Sequence, residues 1–148
     1  MPYLADTNIV FRRVLASDPR HVLVKSAMDL LLLQGETIHA CSQNLMEFHA
    51  LATRPIEANG LGMTSVDARN EAHVIESVFP LLPDVGSIYA QWCFLIDAYG
   101  VIGRQVYDAR LVAVMLAHGI SHLLTLNPTH FRRFGEITVV EPRQLLLT

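Results

Sequence analysis

Lysine is almost absent from this 148-residue chain: of its eleven basic residues only Lys25 is a lysine, and the rest are arginines. Cysteine is scarce as well. Cys41 and Cys93 are too few for a disulfide framework and show no metal-site spacing, so both are expected as reduced core thiols of a cytosolic protein. No Pro-, Ser- or Gly-rich stretch is long enough for a linker, and no repeat or low-complexity segment occurs, which predicts a single domain over 1–148. The uncharged apolar runs 30–33 and 111–117 are far too short to cross a bilayer. The first residues, Met1 to Asp6, lack the basic start and long apolar run of a signal peptide, so a cytoplasmic location without a membrane partner is expected. Charge is sparse too, at 17% of residues against 51% hydrophobic, which excludes a disordered chain. The net charge of −3 lacks the basic excess that usually marks nucleic-acid binding. The preference for arginine admits two readings: a lineage bias, or a use of guanidinium groups to grip phosphate bidentately.

Four short β-branched or apolar runs read as strands: Tyr3 to Ala5, Thr37 to Ala40, His122 to Thr125 and Ile137 to Val140. Helical patterns lie between them. Val22 to Gln34 stops at Gly35; Ser42 is placed to cap a helix reaching Thr53; Thr64 to Asp67 resembles a capping box opening a helix toward Phe79. Asp84 to Tyr99 and Tyr107 to His118 each end at a glycine. Arg54 to Met63, with Pro55, Gly60 and Gly62, reads as an exposed loop. Strands separated by helices imply parallel pairing. The expected fold is α/β: three layers, α/β/α, around a small central parallel sheet.

In such sheets ligands bind beyond the carboxyl ends of the strands. Asp6 directly follows the first strand and Asn127 the third. Asp108 opens a helix that is apolar almost all round and therefore buried, and Glu47 lies on another helix with little polar surface. Each acid has a plainer explanation. Asp6 can cap the next helix, Asp108 can serve the helix dipole or pair with Arg104, and Glu47 can face solvent or reach Arg54. Their combination points further. Three carboxylates gathered around one strand end repel one another unless a cation joins them, and oxygen ligands favour Mg²⁺ or Mn²⁺ over zinc.

Four pieces, in order, carry a resemblance: Leu4-Ala5-Asp6-Thr7-Asn8; Ser42-Gln43-Asn44-Leu45-Met46-Glu47-Phe48; Gly103 to Ala109 with Leu111-Val112-Ala113; and His118 to Phe131. Together they span nearly the whole chain, which resembles the PIN-domain family and within it the VapC-like toxin ribonucleases. The resemblance implies an RNA substrate, a Mg²⁺ or Mn²⁺ cofactor, a homodimer and a small antitoxin partner. It assigns metal binding and catalysis to Asp6, Glu47 and Asp108, with support from Thr7, Asn8, Thr125 and Asn127. Many family members carry a further acid in the fourth piece, where this chain has Asn127 and His130. That departure motivates an alternative, a catalytically weak module that binds RNA or protein. Arg104, Arg110, His130, Arg132 and Arg133 lie near the site segments and are candidates for gripping RNA phosphates, with a solvated face or salt bridges to site acids as the other reading. The remaining histidines show no H-E-x-x-H pattern, so His39, His49 and His122 are expected as core or supporting groups. Tyr89, Trp92, Phe94 and Tyr99 share one helix and read as core or subunit interface. A phosphatase working through an aspartyl phosphate on Asp6 would want a second acid where Asn8 stands.

Overall fold

A computed structural model describes residues 1–147. Five strands form one sheet in the order β3-β2-β1-β4-β5, with every neighbouring pair parallel. They are β1 (Pro2–Ala5), β2 (Thr37–Cys41), β3 (Leu81–Leu82), β4 (His122–Leu124) and β5 (Thr138–Val140). The chain winds outward from β1 through β2 to β3, then returns to the other side of β1 for β4 and β5. The strand order therefore reverses between β1 and β4, and the crevice above their carboxyl ends is the expected ligand position of such a sheet.

The helices are α1 (Thr7–Val14), α2 (His21–Leu33), α3 (Ser42–Thr53), α4 (Ser65–Val78), α5 (Ile88–Tyr99), α6 (Gln105–His118) and α7 (Pro142–Leu146). Side chains alternate across β1, and the core divides accordingly. Tyr3 and Ala5 join a cluster built from α1 to α4, including Ile9, Met28, Phe48 and Phe79. Leu4 faces the opposite cluster, which includes Leu95, Val112, Met115, Phe131 and Phe134 and is built around α5 and α6. This is the three-layer arrangement anticipated from the sequence. Helix α6 is buried at Ala109 and from Leu111 to Met115, as its apolar circumference requires.

Several boundaries differ from the sequence reading. Cys41, not Ser42, caps α3: the Cys41 N–H donates to Asn44 Oδ1 at 2.8 Å, while the Ser42 hydroxyl turns away to Asp84 at 2.7 Å. Thr64 caps α4 as expected, accepting the Asp67 N–H at 3.1 Å. Helix α5 begins at Ile88 rather than Asp84, because Asp84 is held in the preceding loop by Ser42 and Arg110. Helix α6 begins two residues before Tyr107, after Gly103 at φ +62°. The loop from Arg54 to Met63 contains a 3-10 turn, Ile56–Ala58, and is clipped to the end of α3 by Leu61 and Met63 N–H groups donating to Leu51 and Ala52 carbonyls at 3.1 and 2.8 Å. Among the described residues no helix is long and apolar enough to cross a membrane.

Candidate active site

Asp6 directly follows β1 and its backbone N–H still bonds the Leu124 carbonyl at 2.9 Å, so the side chain is fixed at the β1–β4 crevice. It is 8% exposed. One carboxylate oxygen accepts the Thr7 N–H at 2.8 Å, and the other accepts the Thr125 hydroxyl at 2.7 Å. The capping role and the site role are therefore served by the same side chain. Burial raises the Asp6 pKa, against the pull of these two donors and of His130.

Glu47 comes from the middle of α3. As a residue it is exposed, yet its carboxyl group is crowded: Oε1 accepts from Gln43 Nε2 at 3.1 Å and from the Thr7 hydroxyl at 3.2 Å. Its pKa is raised, first by burial of the carboxyl group and then by the charges of Asp6 and Asp108, while Gln43 and Thr7 pull it down. Asp108 lies on the first turn of α6. Burial, followed by repulsion from Asp6, pushes its pKa up to about 6, although His130 and Arg133 act in the opposite direction. The fold thus brings the three acids into one another's field. Among the described residues no three His, Cys, Asp or Glu side chains stand close enough together to hold a metal ion as they are placed.

The supporting residues fall into place unequally. Thr7 links Asp6 to Glu47, and its hydroxyl accepts from Asn44 Nδ2 at 3.0 Å. Thr125 is fully buried; besides donating to Asp6 it accepts the Asn127 N–H at 2.9 Å. Asn8 bonds the Leu126 N–H at 3.3 Å and so pins the segment beyond β4 rather than touching an acid. Asn127 is exposed at the mouth of the crevice. His130 Nδ1 stands 3.9 Å from Asp108 Oδ2, so Asp108 meets this histidine rather than Arg104.

The arginines divide. Arg133 is near enough to lower the Asp108 pKa, while its guanidinium donates to Gln105 at 2.6 Å. Arg110 donates to Gln43 Oε1 at 3.2 Å and lies 3.7 Å from Asp84. Arg132 is drawn toward Glu141 at 3.9 Å, and Arg104 is exposed at the start of α6. A cavity of about 340 Å³ beside Glu47 is lined by Gln43, Met46, Glu47, Ala50, Tyr107 and Arg110.

Gln43 and Asn44 were not singled out by sequence reasoning. Amides on a helix usually mark its solvent face, whereas these two are 6% and 0% exposed. Their spacing was the available signal, since positions four and three before Glu47 share its helix face.

The PIN domain family model matches residues 3–137. Comparison with the curated proteins gives no match. Solved structures with the same fold include VapBC2 of Rickettsia felis, bound to a DNA fragment from its promoter, with TM-score 0.70 and 16% identity over 95% of this chain and 98% of that one. A toxin–antitoxin complex from Klebsiella pneumoniae gives 0.62 and 18% over 95% and 97%. VapC20 of Mycobacterium tuberculosis, a toxin that cleaves the sarcin-ricin loop, gives 0.56 and 18% over 82% and 86%. At these identities the likeness is one of fold. The family match covers all three acids and most of the chain, and the chain belongs to the PIN domain family.

Proposed function

We propose that this protein is a divalent-metal-dependent endoribonuclease, the toxin of a toxin–antitoxin pair, acting in the cytoplasm as a homodimer on an RNA substrate. One observation carries the reading. Asp6, Glu47 and Asp108, distant in sequence, are neighbours in the fold: Thr7 bonds both Asp6 and Glu47, the charges of Asp6 and Asp108 act on Glu47, and that of Asp6 acts on Asp108. Fold stability alone gives little reason to gather three carboxylates that repel one another, whereas binding a dication does. The donor set is all oxygen, which fits Mg²⁺ or Mn²⁺. Asp6, Glu47 and Asp108 would hold the ion.

When bound, the ion polarises a phosphoryl oxygen, lowers the pKa of water and neutralises developing charge. The protein's own groups supply the rest. Thr7 and Thr125 hold both Asp6 oxygens in place. One of the three carboxylates would accept the proton of the water that attacks phosphorus in line. His130, exposed beside Asp108, donates to a phosphate oxygen when protonated, and Arg133 adds positive charge at the same edge. Similarity in fold to a toxin–antitoxin complex and to an RNA-cleaving toxin supports the substrate and the antitoxin partner.

The test is cleavage of cellular RNA by the purified chain with Mg²⁺ or Mn²⁺, with end mapping, and with EDTA and Asp6→Asn as controls. Cleavage is expected only with metal and intact Asp6. Robust cleavage by Asp6→Asn removes the proposed site. The absence of acids at Asn127 and His130 favours a second reading, a weakly catalytic RNA-binding or protein-binding module. RNA affinity retained without any Mn²⁺ binding at millimolar metal selects that reading.

A further inference from the structure

Gln43 is a buried glutamine with hydrogen bonds in three directions. Nε2 donates to Glu47 Oε1 at 3.1 Å and to the Tyr107 backbone carbonyl at 2.8 Å, and Oε1 accepts from Arg110 at 3.2 Å. These partners fix which end of the amide is which. A flipped amide would set oxygen against two acceptors and NH₂ against a guanidinium, losing all three bonds. The Thr7 hydroxyl donates to the same carboxylate oxygen, Glu47 Oε1. Two donors on Oε1 leave Oε2 as the oxygen with open coordination. Tyr107 immediately precedes Asp108, so one amide ties the carboxylate of Glu47 on α3 to the backbone that carries Asp108 on α6.

We infer that Gln43 is a positioning residue: by bridging Glu47 Oε1 to the Tyr107 carbonyl it sets the spacing of the Glu47 and Asp108 carboxylates and leaves Glu47 Oε2 free for a divalent cation. The inference rests on the metal-binding reading above. Its physical basis is the mobility of a glutamate side chain, which loses substantial rotamer entropy when ordered. Glu47 is exposed as a residue, and the donors on Oε1, Gln43 and Thr7, are what hold its carboxyl group. The amide performs that ordering before metal arrives. Arg110 then acts through Gln43, by fixing the amide's orientation, instead of gripping substrate.

The experiment is titration of the full chain with Mn²⁺, followed by the electron paramagnetic resonance of the free ion, alongside thermal unfolding. The variants are Gln43→Met, Glu47→Gln, their combination, Arg110→Met and Asp6→Asn. Methionine keeps the volume and removes every polar atom that matters. Gln43→Met is expected to weaken Mn²⁺ binding about 10–100-fold, the usual effect of removing a partner that orients a ligand. In the Glu47→Gln background the same change is expected to add little, because its effect passes through Glu47. A merely structural role would produce equal losses in both backgrounds, and that result overturns the inference, as does Gln43→Met affinity within about twofold of the parent, where the expected loss is far larger. Should Gln43→Met fail to fold, Arg110→Met carries the test: it removes the donor to the amide oxygen, loosens the amide and is expected to weaken Mn²⁺ binding, while unchanged affinity overturns the inference. Equal Mn²⁺ binding by the parent and Asp6→Asn instead defeats the metal reading itself, and the positioning role with it.

Discussion

Asp108 experiences the repulsion among the acids in a form that titration can read. Its pKa stands at about 6 in the folded chain, well above the ordinary carboxylate value near 4. A carboxyl group raised by folding contributes fully while both states are protonated, below the unfolded value, and that contribution is lost as pH rises through the folded pKa. In the metal-free protein the loss therefore falls between roughly pH 4 and pH 6. Asp108→Asn removes the charge that burial and Asp6 oppose. In EDTA it is expected to stabilise the fold at pH 7 by about 2 kcal/mol, with the gain vanishing below about pH 4. Urea unfolding at both pH values checks this, and a destabilised variant at pH 7 contradicts it. The acids themselves were legible in the sequence because charge on apolar elements is anomalous. Their amide partners were not, since Gln43 and Asn44 acquire meaning only once Glu47, Thr7 and Tyr107 are neighbours.

At the scale of elements, the loop after α3 is fixed by its own backbone. The loop after α3 closes so tightly that a Cβ on Gly60 would lie 2.0 Å from the Arg54 carbonyl oxygen and 2.3 Å from its carbon. Both are backbone atoms and cannot swing aside. Gly60→Ala is expected to cost about 1–3 kcal/mol, the range for forced overpacking, while leaving Mn²⁺ affinity intact because the loop contributes none of the three acids. A urea midpoint lowered without change in slope, beside an unaltered Mn²⁺ titration, is the expected pair of results. The glycine-rich composition announced a loop here but not that it would fold back onto α3. Length explains other omissions. Strand β3 has two residues between Pro80 and Pro83, and α7 has five, so neither is long enough to display a period. The long helices α2 and α6 were legible because apolar spacing and terminal glycines agree, and α4 because Thr64 announces its start.

The whole molecule explains why residues so far apart meet. Reversal of strand order beside β1 opens a crevice at the carboxyl ends of β1 and β4, and Asp6 and Thr125 are the first residues beyond them. Helix α3 leaves the neighbouring strand β2 and brings Glu47 in from one side of the sheet; α6 leads into β4 and brings Asp108 in from the other. The parallel topology could be read from alternating elements, but the order of the strands could not, because it depends on which edge each crossover takes. The central claim is that this meeting of acids is a site for one dication. The most direct measurement is a crystal structure of the chain grown with Mn²⁺, with anomalous scattering used to locate the metal. The account predicts a peak in the β1–β4 crevice, with oxygens of Asp6, Glu47 and Asp108 bound directly at roughly 2.0–2.2 Å or through waters. It predicts no such peak in Asp6→Asn. A fully occupied peak elsewhere, with the three acids turned apart, contradicts it.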